Sequence, residues 1–120
     1  MIRDHHFIDA RSRAWHALMA DRIRENPSWL AEHSRPRALW LIKEQPSSRI
    51  YFEQWLALID RAIAGDIEPL LAKMTEDSER ANALRQSTVF TGLIGNKERF
   101  AFLREWSGKI SGNHHETRTA

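Results

Sequence analysis

Apolar residues recur along most of the chain at steps of three and four, the period of an α-helix with one face buried. Between residues 9 and 26, Ala14, Trp15, Leu18, Met19 and Ile23 trace such a stripe, while Arg11, Arg13, Asp21, Arg22 and Arg24 fall largely off it. Asn26 and Pro27 stop this helix, because the residue before a proline avoids helical dihedrals. The same pair can cap and open a short helix carrying Trp29 and Leu30. Ser34, Arg35 and Pro36 restart the chain into a third segment with Leu39, Trp40 and Ile42 on its apolar side.

Pro46, Ser47 and Ser48 open the most regular element, in which Phe52, Trp55, Leu56, Ile59 and Ile63 form a stripe over three turns. Gly65 is placed to end it in a left-handed conformation. Asp66 is then expected to cap a helix with Ile67, Leu70, Leu71 and Met74 inward and Pro69 in its first turn. Thr75, Glu76 and Asp77 begin the next, which runs to about Gln86 with its acids against the helix dipole. Residues 87–96 bring Val89, Phe90, Leu93 and Ile94 to plug the core between helices. A last helix over 97–106 turns Phe100, Leu103 and Trp106 inward, and Gly108 and Gly112 end the ordered chain. The expected fold is all-α: a compact single-domain bundle of about five to seven short and medium helices over residues 1–110, with a mobile polar tail at 111–120.

Composition alters this picture only by exclusion. A chain of 120 residues supports one core without a metal or disulfide staple. It has no cysteine, which removes disulfides, thiolate catalysis and cysteine-type zinc sites. The apolar run around residues 39–42 is far short of a membrane span, and the first residues lack the apolar middle of a secretory signal. A cytoplasmic protein with no membrane partner is the default expectation.

Charge adds more. The net value is only +2, yet residues 1–43 carry +3, residues 44–79 carry −5 and residues 80–120 carry +4. An acidic middle between basic flanks can pair with itself across helices or present separate patches to a partner, and internal pairing is the commoner arrangement.

Candidate chemistry is sparse. His5, His6, Asp9 and His16 lie close in sequence but match no established ligand spacing, so a solvated polar start is preferred; no metal and no cofactor are expected. His114 and His115 carry still less weight. Arg11 and His16 have the arginine–four–histidine spacing of small helical ribonucleases of the HEPN class, where the pair stabilises charge and moves a proton at a scissile phosphate. With this many arginines and histidines the spacing arises readily by chance, Ser12 is not the polar amide or acid usual after that arginine, and the motif comes early. The segments around residues 70–74 and 77–86 read as a plain helical hairpin rather than a helix-turn-helix, since Glu76, Asp77 and Glu79 would repel phosphate. Trp15, Trp40, Trp55 and Trp106 sit in apolar stripes and are expected in the core, with Trp29 less constrained; none is needed as a base-stacking platform. There is no glycine-rich phosphate loop and no acid pair placed for a two-carboxylate mechanism.

One stretch resembles a known pattern. Leu84, Arg85, Gln86 and Ser87, then Phe90, Gly92 and Leu93, then Glu98 with Arg99, are similar to a recurring arrangement in small bacterial all-helical proteins. Trp55, Leu58, Ile59, Leu70, Leu71, Ser78 and Arg80 extend the likeness over residues 50–106. The resemblance implies an all-helical domain and brings no assigned activity, substrate or cofactor; the chain departs from it at Val89, where the pattern has proline.

These features point first to a non-enzymatic helical binding or regulatory protein acting through a protein partner, either antitoxin-like or by self-association. A weakly basic nucleic-acid-binding protein is the alternative, and a small helical ribonuclease the third reading. Arg85, Gln86 and Arg99 bracket the apolar loop; they are expected either to clamp it, the favoured role, or to form a polar patch for a partner. Convergence of Arg85, Arg99, Arg104 and the first-helix arginines on one face would favour nucleic acid. Pairing with Glu53, Asp60 or Asp66 would favour a structural role.

Overall fold

A computed structural model describes the backbone from residue 2 to residue 119 and the side chains from residue 6 to residue 108. Among the described residues there are six α-helices and no strand: α1 (Ile2–Glu25), α2 (Arg35–Glu44), α3 (Arg49–Ile63), α4 (Glu68–Thr75), α5 (Glu79–Gln86) and α6 (Asn96–Thr119). The all-α bundle expected from periodicity is therefore the fold.

α3 is its axis, packed against α2, α4 and α5, while α1 lies across α4 and α5. Phe52, Trp55 and Ile59 are buried on α3 together with Ala62; Ile63, expected inward, is 46% exposed. Trp55 is fully buried and its indole N–H donates to the Leu84 carbonyl at 2.8 Å, which ties α3 to the end of α5. Its ring meets Phe90 edge-on, with centroids 5.1 Å apart. Val89, Phe90 and Ile94 are buried, so the loop after α5 does plug the core. Met19 and Ile23 complete the plug from α1.

Several boundaries differ from expectation for local reasons. Pro36 does not restart the chain. Its missing N–H and its ring, which would clash with the carbonyl four residues back, are accommodated by a π turn at Leu30–Ser34 that runs directly into α2. The Leu30 carbonyl there accepts from the Arg35 N–H and from the Ser34 hydroxyl. On α2, Ala38 and Leu41 face inward, leaving Leu39 and Trp40 exposed at 44% and 55%; Trp40 is thus not a core residue.

Gly65 ends α3 as expected, at φ 114°. The Gly65 and Asp66 amides bond back to Ala62 and Arg61, the paired closure of a Schellman motif. Asp66 does not cap α4; its carboxylate takes the Arg61 guanidinium at 2.7 Å instead. Thr75 is the last residue of α4 rather than the start of α5. The cap of α5 is Ser78, whose hydroxyl accepts the Ala81 N–H.

The inward face of α6 is turned from the expected one. Phe100 is half exposed, and Phe102 packs on Trp15 with centroids 4.9 Å apart. Trp106 reaches Phe7 at 5.4 Å. The helix also continues through Gly108 to Thr119, and the mobility expected of residues 111–120 lies outside the described side chains. No helix among the described residues is long and apolar enough to cross a membrane.

The charge segregation resolves largely into ion pairs. Arg13 with Asp77, Arg24 with Glu68 and Arg35 with Asp60 join the basic first third to the acidic middle, and Arg22 with Glu98 joins α1 to α6.

Candidate functional site

Three arginines left out of this pairing line one cleft. On α1, Ile8, Arg11, Ser12, Trp15 and His16 follow at helical steps and so share a face; on α6, Arg99, Phe102 and Leu103 do the same. These two faces, with Arg85 from the end of α5 and Thr88 from the loop, line a cleft of about 250 Å³. Three guanidiniums and two hydroxyls contribute to it, and no carboxylate does.

His16 forms part of its floor. The ring is only 2% exposed, with Nδ1 2.8 Å from the Ser12 carbonyl and Nε2 2.9 Å from the Thr88 hydroxyl. A carbonyl can only accept, so Nδ1 carries the proton and Nε2 accepts from Thr88. The Thr88 oxygen accepts in turn from the Phe90 N–H, and the His16 ring meets Phe90 edge-on. Burial pushes the His16 pKa down to about 4; the Ser12 bond opposes this and the Arg85 charge adds to it. The imidazole is therefore neutral near pH 7. With both nitrogens occupied inside the protein, it anchors the loop to α1 and leaves no lone pair for a substrate. That geometry argues against the acid–base role suggested by the spacing of Arg11 and His16.

Arg85 is also 2% exposed. Its Nη1 donates to the Lys73 and Met74 carbonyls at 3.3 Å, and its Nη2 to the Asn82 side chain. Those carbonyls belong to the last turn of α4, the negative end of that helix's dipole. Arg85 therefore clamps α4 to α5, not the loop at residues 87–96. Its Nε is the only buried side-chain nitrogen or oxygen among the described residues that has no hydrogen-bond partner. Burial, then the charge of Arg13, lower the Arg85 pKa against the opposing pull of Asp77, Asp9 and Glu76.

Arg99 is exposed and lies over Phe100 at 5.8 Å, while Arg11 lies over Phe7 at 5.7 Å. Neither forms an ion pair among the described residues. The acids that might have answered them are engaged elsewhere: Glu53 with Arg49, Asp60 with Arg35 and Asp66 with Arg61. Arg85 and Arg99 thus meet in one cleft with Arg11. Gln86 instead opens on a separate hollow beside Arg37, Gln45 and Ser48, and Arg104 lines neither. Sequence reasoning did not single out Thr88 or Phe102. Thr88 joins the site through a bond to a residue 72 positions away, which no local pattern announces.

Among the described residues no three His, Cys, Asp or Glu side chains are placed to hold a metal ion. His5, His114 and His115 lie outside the described side chains. Set against models of known protein families, curated proteins and solved structures, the chain matches none.

Proposed function

We propose that this is a cytoplasmic, non-enzymatic binding protein that engages single-stranded nucleic acid at the cleft between α1, α5 and α6. The observation that carries the reading is the meeting of Arg11, Arg85 and Arg99 in a cleft lined by no carboxylate. The ion-paired arginines elsewhere are spent on the fold, whereas these three have no ion-pair partner among the described residues. Half-buried Trp15 and Phe102 give the cleft an apolar wall of the kind unstacked bases use, which a base-paired duplex does not expose.

Titrating a labelled single-stranded RNA of about 20 nucleotides at several salt concentrations tests this. Three neutralised phosphates predict that log K falls against log salt with a slope of about −2. The double variant Arg11→Gln, Arg99→Gln should flatten that slope by more than half. Absence of binding at about 50 mM salt would refute the reading.

A protein partner or a second copy of the chain is the second reading, favoured by Leu39 and Trp40, which stand exposed side by side on α2. Sedimentation of the wild type and Trp40→Ser over a range of concentrations tests it. Concentration-dependent association that Trp40→Ser abolishes supports it; a concentration-independent monomer removes the self-association form.

A further inference from the structure

A second hollow adjoins the arginine cleft. Arg85 lines the cleft, Gln86 and Ser87 line the hollow, and Thr88 borders both, so four consecutive residues form the ridge between them. The hollow has a volume of about 210 Å³, and the buried side chains of Leu41 and Phe52 give it an apolar floor. Its walls are polar: Arg37 on α2, Gln45 just after that helix, Ser48 before α3, and Gln86 and Ser87 at the end of α5. No carboxylate lines it.

These polar groups are not spent on the fold. Arg37 has no ion-pair partner among the described residues. The side chains of Gln45, Ser48, Gln86 and Ser87 make no hydrogen bond among them either. Ser48 directly precedes α3, where a serine hydroxyl ordinarily caps the helix, yet it makes no cap bond. The two hollows also differ in what they can distinguish. Guanidiniums and the rings of Trp15 and Phe102 meet phosphates and base faces, which every nucleotide has, so the cleft is blind to sequence. A carboxamide offers a donor and an acceptor side by side. A base edge answers both, whereas a phosphodiester only accepts. The plane of a guanidinium adds a surface on which an unstacked base can lie.

We infer that the hollow beside Arg37 reads one base of the strand held in the cleft, with Gln45 and Gln86 bonding the edge of the base and Arg37 against its face. The strand crosses from one hollow to the other at Thr88. This rests on the single-strand reading above and adds to it a preference for sequence.

The test uses three labelled homopolymeric RNAs of ten nucleotides, of adenine, cytosine or uracil, titrated at low salt by fluorescence anisotropy. One should bind at least about fivefold more tightly than the weakest, the discrimination given by one well-placed bidentate contact to a base edge. The double variant Gln45→Ala, Gln86→Ala, at two exposed positions, should erase that difference. Arg11→Gln in the cleft should weaken all three strands by the same factor. Equal binding of the three by the wild type would overturn the base-reading inference and leave the single-strand reading standing. A preference that survives the double glutamine variant, or that Arg11→Gln abolishes, would overturn its assignment to this hollow. If no strand binds, both fall.

Discussion

Arginines on the two sides of this bundle sit in opposite circumstances. Around α2 and α3, Arg35, Arg49 and Arg61 each hold a carboxylate at 2.7 to 2.9 Å, and all are well exposed. Exposed pairs of this kind contribute little to stability, yet they neutralise these three charges. Across the molecule, Arg11, Arg85 and Arg99 share a cleft without a carboxylate, and Arg85 is almost wholly buried. A cation removed from water and hydrogen-bonded only to carbonyls and an amide is an expensive arrangement for stability alone. The contrast separates arginines that trim surface charge from arginines that keep it.

The sharpest way to break the comparison is to disturb the scaffold both sides share. Trp55→Ala removes a fully buried indole and its bond to Leu84, and Phe90→Ala removes the ring packed against it. Each should cost about 3–5 kcal/mol in urea unfolding. A loss below about 1 kcal/mol in either would mean that the cleft does not stand on this core.

Next in size is a pH effect. His16 is buried neutral, with its pKa lowered from 6.5 to about 4. Between these values the unfolded chain binds a proton that the folded chain refuses, so stability is full above pH 6.5 and falls as pH drops toward 4. The loss should approach about 3 kcal/mol over that window. His16→Gln should flatten this part of the profile. An unchanged slope in the variant would show that other groups set the acid limit.

Arg85→Gln should cost about 1–3 kcal/mol, since it leaves the Lys73 and Met74 carbonyls without their donor. Arg99→Gln should stay within about 0.5 kcal/mol of wild type while strand binding weakens. That last pair sharpens the comparison most: equal stability losses in both variants would make Arg99 another structural arginine.

The parts of the fold readable from sequence are those governed by neighbours three and four residues apart. The α3 stripe from Phe52 to Ile59, the Gly65 stop and the apolar plug at Val89, Phe90 and Ile94 all rest on local chemistry. Errors arose where two local signals competed. On α2, Leu39 and Trp40 look like core residues, but the smaller Ala38 allows the helix to lie closer to α3, so that face turned inward. On α6, Phe100 and Phe102 are equally apolar, and only the position of Trp15 decides between them. The candidate site was half visible for the same reason. Arg85 and Arg99 stood out because they flank an apolar loop, and Arg11 with His16 because of their spacing. That all four line one cleft depends on how α1 meets α6, a tertiary fact with no periodicity to betray it.

The bond from His16 to Thr88 spans 72 positions, and the cleft around it draws on residues 8 to 16 at one end and 85 to 103 at the other. Contacts of such separation carry the largest loop-closure cost and tend to form late, after local helices and the hairpin of α4 and α5 have collapsed. The cleft is then expected to close last. A nascent chain still missing α6 could already have buried Trp55, but without Arg99, Phe102 and Leu103 it would have no cleft.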